Sequence, residues 1–467
     1  MISKKYFPHI VLVGILLLAT FLYTYRLSQT MQFIGDSAWF YLDARDLLLG
    51  KSFPLVGITS SHPWMHQGAY WTYLLAIALF LGKFSPLAGG YLAALIGVIT
   101  VAVAYFVGKK LFSEGVGLMF AFLYTLSPLA IYNMRLPLDT TPLPLLSLLF
   151  LFFIFEWVRG KRYGLFATGM TFALLYNFEL ASIMLVAPLG IVSLYGLLRR
   201  KTYAAFLFDK KLIGATLIGM VIIMIPMLIY DVGHGFPQTI RFGMWLVYRL
   251  LVTVGILQLY HPIAPETWSH FFTFILSNNA RIMYLIPHYL ALAISLLAIV
   301  GICIKTIQEK SAQYILLTLF TVTTIGVFLV YKTPSEAYIP IFLPFLLLSL
   351  AVVLLEKRIV PRIGVVFMIL LGVIGAGQFV MQDFQYDTVT PYGFTYDQRV
   401  AAVNSIIQKS GKSTYTIEGK EMFIVSPAYT MGYEYLLWYK GHPVADAFPE
   451  KMFTIQETPE SILIQEK

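Results

Sequence analysis

Residues 34–50 read Ile34-Gly35-Asp36-Ser37-Ala38-Trp39-Phe40-Tyr41-Leu42-Asp43-Ala44-Arg45-Asp46-Leu47-Leu48-Leu49-Gly50. They follow an apolar run over 7–25, so the chain enters this stretch as it leaves a bilayer. Asp36 or Ser37 can cap a helix that opens there, and Gly50 stands where such a helix ends. Trp39, Tyr41 and Leu47 to Leu49 suit a helix lying at the membrane interface, with Asp43, Arg45 and Asp46 turned elsewhere. The arrangement presents an acid, Asp36, at the rim of the bilayer. Taken alone, Asp36 is a helix cap.

Of the 467 residues, 58% are hydrophobic and 12% charged, whereas soluble domains carry about 25% charge. That much apolar surface exceeds the needs of one soluble core, so the chain reads as an all-α polytopic membrane protein. The single cysteine, Cys303, lies in an apolar run and excludes both an intramolecular disulfide and cysteine-built zinc sites. Apolar runs at 7–25, 87–108, 115–132, 140–158, 163–178, 180–198, 212–230, 282–304, 311–331, 337–355 and 363–382 predict about eleven transmembrane helices.

Two further runs, 68–82 and 242–260, are decided by charge. Counted as spans, they would put Lys109 and Lys110, then Arg159, Lys161 and Arg162, outside. Read as amphipathic or re-entrant outer segments, they leave every short basic loop on one side, which the positive-inside rule makes cytoplasmic. The net charge of +9 is then a topology signal, and nothing favours a nucleic-acid partner. The first run follows Lys4 and Lys5 and lacks a small-residue cleavage site, so it reads as an uncleaved anchor with a cytoplasmic N-terminus. The expected location is the plasma (inner) membrane, multi-pass.

This topology divides the chain into a transmembrane domain, 1–382, with outer loops 26–86, 133–141 and 231–281, and a soluble extracytoplasmic α/β domain, 383–467. In the latter, Asp397 to Gln408 reads as an amphipathic helix through Val400, Val403 and Ile407, stopped at Gly411. Strands are expected over Thr414 to Glu418 and Glu421 to Val425, then a helix over Tyr433 to Tyr439. No internal repeat and no matching pair of interrupted helices points to the common transporter folds.

Polar groups beside spans are costly and therefore informative. Besides Asp36, the loop Arg135-Leu136-Pro137-Leu138-Asp139-Thr140 carries Asp139 to the same outer side. Paired acids suit general-base activation of an acceptor, coordination of a divalent cation, or both; as a bland alternative, Asp139 caps a helix before Thr140. Glu179 sits at the turn between two short spans, as an acceptor or metal contact or as a solvated turn residue. Cations able to hold a phosphate are Lys332, Arg135, Arg281 and Arg249, with Arg241 beside them. Lys332 is the best placed, at the end of a span. The histidines, His62 and His66 among them, show no HExxH spacing, although one can join an acid at a metal.

The run Gly35 to Leu47 resembles the first outer loop of the GT-C membrane glycosyltransferases, in particular the protein O-mannosyltransferase and aminoarabinose-transferase branch, which is glycosyltransferase family 39-like. Similar pieces follow in order: His62-Pro63 before an aromatic segment, Lys109-Lys110-Leu111-Phe112 at a span end, Ser127-Pro128, the Arg135 to Asp139 loop, and Tyr338-Ile339-Pro340-Ile341-Phe342-Leu343-Pro344-Phe345. The likeness runs over 7 to about 382. It implies a GT-C-like bundle and inverting transfer of a sugar from a polyprenyl-phosphate carrier to a protein, lipid or glycan acceptor. It also implies that Asp36 is the catalytic base and that Asp139 assists at the site or at a divalent metal cation. The second acid that often follows the first-loop Asp in such enzymes is replaced here by Ser37. A transporter or flippase of lipid-linked glycans is the rival from another class, and an assembly protein without turnover is the third reading. Two acids on one outer side favour the enzyme; charges buried mid-span would favour transport.

Overall fold

The computed structural model describes residues 6–33, 35–60, 64–253, 255–257, 268–331, 335–355, 362–381, 394–420, 428–445, 448–458 and 461–467. Among the described residues, seven segments are helices long and apolar enough to cross a membrane: Phe7–Thr30, Leu87–Leu111, Leu180–Leu198, Lys210–Gly233, His288–Glu309, Ala312–Val330 and Glu336–Leu355. The other expected spans fall on the shorter helices Glu114–Leu126, Leu143–Val158 and Arg162–Phe178, and on the helix Arg362–Met381, whose apolar part is the short stretch Gly364–Gln378. The chain is a multi-pass membrane protein built around the helix Ile339–Leu355, whose every residue but the last is buried.

Two expected spans have different limits in the structure. The run 115–132 breaks at Ser127, which takes an extended conformation before Pro128, and a new helix runs over Pro128–Asn133. Proline disfavours a helical residue before it and supplies no N–H of its own. The hydroxyl of Ser127 instead donates to Ile282 O at 3.0 Å. The run expected to begin at 282 starts at His288, after a separate helix Trp268–Ile282 and a turn in which Tyr284 and Leu285 adopt positive φ.

Both segments that charge assigned to the surface are short. Tyr70–Leu81 has 12 residues, about 18 Å of helix against a hydrocarbon core of about 30 Å. Phe242–Thr253, also 12 residues, follows a π-turn over Pro237–Arg241. Among the described residues the helix Gly35–Leu48 contacts the helices Tyr70–Leu81 and Ala428–Tyr439, and His66–Gly68 contacts the helix Arg162–Phe178, which ends at Glu179, so these segments gather at one end of the bundle. Lys109, Lys110, Arg159, Arg199, Arg200 and Lys310 occupy the turns at the other end.

At the gathered end the chain forms a hairpin, β1 (Val56–Thr59) antiparallel to β2 (His66–Gly68). The C-terminal region forms a second sheet in the order β3 (Tyr415–Gly419), β4 (Lys451–Glu457), β5 (Ile462–Glu466), parallel between the first two and antiparallel between the last two. Two helices accompany it. Tyr396–Ser410 opens with a capping box of Thr395 and Gln398 and ends at Gly411, φ +62°; Ala428–Tyr439 is followed by Gly441, φ +79°. Only glycine adopts such angles without strain. The second strand expected there, Glu421 to Val425, lies outside the described residues.

This C-terminal unit docks on the helix Gly35–Leu48. Tyr435 lies 5.1 Å from Tyr41 and 5.9 Å from Phe33 between ring centroids, and its hydroxyl donates to Phe84 O at 2.8 Å. Arg45 lies over Trp438 at 5.1 Å, and Tyr396 N donates to Met31 O at 2.7 Å. The fully buried Tyr41 hydroxyl reaches Pro86 O at 2.5 Å. Aromatic contacts with Tyr435 and Trp438 and the buried hydrogen bond from Tyr41 to Pro86 O thus fasten this helix to the helix Ala428–Tyr439 and to the segment before Leu87. Tyr435→Ala should destabilise the protein by about 3–5 kcal/mol, read as a lower thermal midpoint in detergent and faster proteolysis of the C-terminal unit. An unchanged midpoint and cleavage rate would show that the docking contributes no stability.

Candidate active site

The helix Gly35–Leu48 carries Asp36 in its first turn, where the unpaired N–H groups and the helix dipole favour negative charge. Asp36 is open to solvent along one side, yet surrounding protein pushes its pKa above the ordinary carboxylate value. On the same helix burial raises Asp43 to about 6, offset in part by a hydrogen bond from Trp39. Ser37, between Asp36 and the core, is fully buried, and its hydroxyl has no hydrogen-bond partner among the described residues.

Asp139 sits in a loop closed by Thr141, whose hydroxyl donates to Leu136 O at 2.9 Å. It is 6% exposed. Burial, then the charge of Glu179, then that of Asp36 hold its pKa well above the carboxylate range, against a weaker opposing contact from the backbone of Thr140. The structure therefore brings the three expected acids together, from three separate stretches of chain.

Glu179 is fixed most firmly. It ends the helix Arg162–Phe178 and caps the 3-10 turn Leu180–Leu185, where its Oε1 accepts Ala181 N at 2.9 Å. Gln67 Nε2 donates to its Oε2 at 3.0 Å, and Gln67 Oε1 accepts Leu180 N at 2.9 Å. Burial raises the pKa of Glu179, while these donors work the other way. Sequence reasoning missed Gln67, because a lone Gln in a polar loop carries no pattern. Its neighbour Gly68 carries the structural reason for the fit: an added Cβ would lie 1.8 Å from Asn177 Oδ1, so only glycine lets β2 approach this closely.

His66, preceding Gln67 on β2, faces the other way along the strand. Its Nδ1 lies 3.1 Å from Gly57 O and must donate there, so Nε2 accepts from the Tyr230 hydroxyl at 3.1 Å. Burial lowers its pKa. Arg135 is buried, and its guanidinium donates to Leu22 O at 2.9 Å and to Thr30 Oγ1 at 2.5 Å, tying the Asp139 loop to the end of the first span. Its desolvation lowers its pKa to about 10. Arg281 pairs with Glu336 at 3.0 Å and covers the ring of Tyr132 at 5.0 Å, beside the same loop. Arg249 lies on the helix Phe242–Thr253, with its side chain outside the described residues; His62 and Lys332 are outside them altogether.

As a metal centre the site does not close. Among the described residues no three histidine, cysteine or acidic side chains approach closely enough to hold an ion, and both Glu179 oxygens already accept N–H groups. The charges of Glu179 and of Asp36 instead reach Asp139 and disfavour its ionised form.

No protein-family model and no curated protein sequence matches this chain. Solved structures do match in fold. ArnT from Cupriavidus metallidurans bound to undecaprenyl phosphate aligns over 97% of this chain and 93% of its own, at 12% identity and a TM-score of 0.59. The Archaeoglobus fulgidus oligosaccharyltransferase in the apo form aligns over 88% of this chain at 14% identity and a TM-score of 0.52. This chain spans 59% of the length of that oligosaccharyltransferase, which has also been solved in complex with Zn and sulfate. The chain therefore has the GT-C fold of these membrane glycosyltransferases, completed by a small C-terminal sheet.

Proposed function

We propose that this protein is an integral-membrane inverting glycosyltransferase that moves a sugar from a polyprenyl-phosphate donor to an acceptor at the outer membrane face. The convergence of Asp36, Asp139 and Glu179 at one end of a GT-C bundle carries this reading. The reactive bond of a lipid-linked sugar phosphate lies at headgroup height, and acids beside the ends of spans suit chemistry at that height. The fold neighbours add support, since the archaeal oligosaccharyltransferase AglB has been solved with an inhibitory peptide and a dolichol-phosphate.

In the proposed reaction the acceptor hydroxyl or amine attacks the anomeric carbon opposite the phosphate, and its proton passes to the Asp36 carboxylate. The bond from carbon to phosphate oxygen breaks with its electron pair leaving on the phosphate, and the anomeric centre inverts. Asp36 is assigned as base because it is the acid with solvent access. Asp139, buried beside Glu179, positions the reacting groups. Lys332, with Arg249, Arg135 and Arg281, supplies the positive surroundings that the leaving phosphate needs. A divalent cation, if bound at these acids, would offset their mutual repulsion. The basic turns at the far end of the bundle make that end cytoplasmic and the acid-bearing end, with the C-terminal domain, extracytoplasmic.

Transfer from a radiolabelled polyprenyl-phosphate sugar in membranes tests the assignment. Asp36→Asn at equal expression should lose about 10²–10⁴-fold in rate while still binding the donor; retained turnover would remove Asp36 as base. A base must be ionised, so parent activity should rise with pH through a limb above the ordinary carboxylate range, following the raised pKa of Asp36. An acid limb at the ordinary carboxylate value would contradict that role. The raised pKa of Asp139 means that its contribution to stability is present at acid pH and lost as pH rises through the folded value. Asp139→Asn should therefore raise the thermal midpoint at neutral pH, with the gain shrinking on acidification. A gain that is the same at every pH would disprove the burial of charge there.

A further inference from the structure

In the sheet of the C-terminal unit, β5 pairs with β4 on one side, and among the described residues no strand covers its other edge. Lys467 N donates to Met452 O at 2.9 Å and Thr458 N to Ser461 O at 2.8 Å. Antiparallel ladders alternate, so in this register Leu463 and Gln465 bond to β4, while the N–H and C=O groups of Ile462, Ile464 and Glu466 point away from it. A side chain agrees with that direction: Lys409 Nζ, from the helix Tyr396–Ser410, donates to Ile464 O at 3.0 Å. The N–H groups of Ile462, Ile464 and Glu466 have no hydrogen-bond partner among the described residues.

The helix runs beside the strand. Arg399, near its start, pairs at 2.5 Å with Glu457, which stands opposite Ile462 in the ladder; Lys409 O, near its end, accepts Lys451 Nζ at 3.0 Å. Between helix and strand lies a cavity of about 470 Å³, walled by Gln398, Ala401, Ala402, Ser405 and Lys409 on one side and by Ser461 to Ile464 on the other. The small side chains at 401, 402 and 405 leave this room. From Gln398 to Lys409 the helix rises about 16 Å, the reach of about five extended residues, and β5 itself has five. Among the described residues Lys409 is the only charged group lining the cavity, and it has no ion pair there.

We propose that this groove binds an extended polypeptide segment as a further strand on β5, with Lys409 meeting an acidic side chain of that segment. A row of outward N–H and C=O groups at strand spacing is matched by another peptide backbone. An unneutralised cation in an otherwise uncharged groove favours an acid beside it. The contact of Lys409 with the Ile464 carbonyl guards the edge against indiscriminate pairing. The N–H of an incoming strand replaces that contact and releases the ammonium to the acid. The groove also leads towards the candidate active site. Thr395, beside Phe394 at one end of the groove, bridges to Gln32, whose Oε1 accepts the Tyr132 hydroxyl at 2.7 Å, and Tyr132 leads into the Arg135 to Asp139 loop. Resting on the glycosyltransferase reading, the segment held there belongs to a polypeptide acceptor.

The test is binding of a labelled peptide of about eight residues, alternating Val and Thr with one Asp, and of its Asn counterpart, to the full-length protein in detergent. Fluorescence anisotropy and amide hydrogen exchange read the outcome. The parent should bind the Asp peptide more tightly than the Asn peptide, and binding should slow exchange at Ile462, Ile464 and Glu466. Ile464→Pro deletes an outward N–H and keeps the ladder to β4, so affinity should fall about tenfold. Ala401→Trp, which fills the groove from the helix side, should do the same and decides the matter if the proline variant does not fold. Lys409→Gln should remove the preference for Asp and leave binding of the Asn peptide. Unchanged affinity in Ala401→Trp would overturn the groove, as would slow exchange at Ile464 in the parent without peptide or a parent that binds neither peptide. Undecaprenyl phosphate binding is measured on the same preparation. A parent that binds the peptide and not the carrier would defeat the glycosyltransferase reading and leave the groove standing; the reverse pattern would defeat the groove alone.

Discussion

The placement of Asp139 beside Glu179 is the constraint on which the rest of the arrangement depends. Two carboxyl groups brought together away from water repel, and each loses hydration, so folding alone would separate them. They stay together because each is anchored through its own backbone to a rigid element. Glu179 is locked at a helix end by Gln67 and by the N–H of Ala181. Asp139 rides on a loop held by Arg135, which reaches the carbonyl of Leu22 and the hydroxyl of Thr30. The arginine that charge alone would assign to a substrate phosphate is thus first a strut between the second loop and the first span. Its proximity to Asp139 in sequence follows from that task as readily as from catalysis.

The third acid arrives differently. Asp36 depends on a 14-residue helix with only part of its surface buried, and such a helix is marginal by itself. The C-terminal unit supplies the missing face through Tyr435 and Trp438, so the sheet at the end of the chain supports a residue near its beginning. Within that unit the buried pair of Arg399 and Glu457, 2.5 Å apart and joined by the Tyr433 hydroxyl, fastens the helix Tyr396–Ser410 to β4. Removing one partner from such a pair leaves a charge stranded. Aromatic contact and ionic contact therefore act in series, from β4 through Tyr433 to the helix bearing Asp36.

Much of this was legible from residue pattern, for physical reasons that also mark where legibility ended. Long apolar runs bounded by basic turns gave the helices, since nothing else satisfies a backbone in hydrocarbon. The stop at Gly411 was readable because positive φ selects glycine. The break at Ser127 was missed by treating 115–132 as continuous, although Pro128 announces it. Strands β4 and β5 were not found, since β4 pairs in parallel with a strand more than thirty residues earlier and its short run has little periodicity of its own. For the site, polar residues next to spans were visible as costs without an obvious return, which singled out Asp36, Asp139 and Glu179. Gln67 was invisible, because its meaning lies in what it bonds to across the chain.

The serine at position 37 follows from the same electrostatics. GT-C enzymes that resemble this chain often place a second acid directly after the first-loop Asp, and here that position is fully buried against the core side of the helix Gly35–Leu48. A carboxylate there would be desolvated outright and would add to the negative field of Asp36 that already reaches Asp139. A cation held among these acids would offset it, and the described residues do not close such a centre. With serine the position remains small and neutral, at the cost of one unpaired hydroxyl, and Asp36 keeps the solvent-facing side of the turn to itself. The small, neutral Ser37 thus keeps a further desolvated charge away from a group in which Asp139 already feels both Glu179 and Asp36.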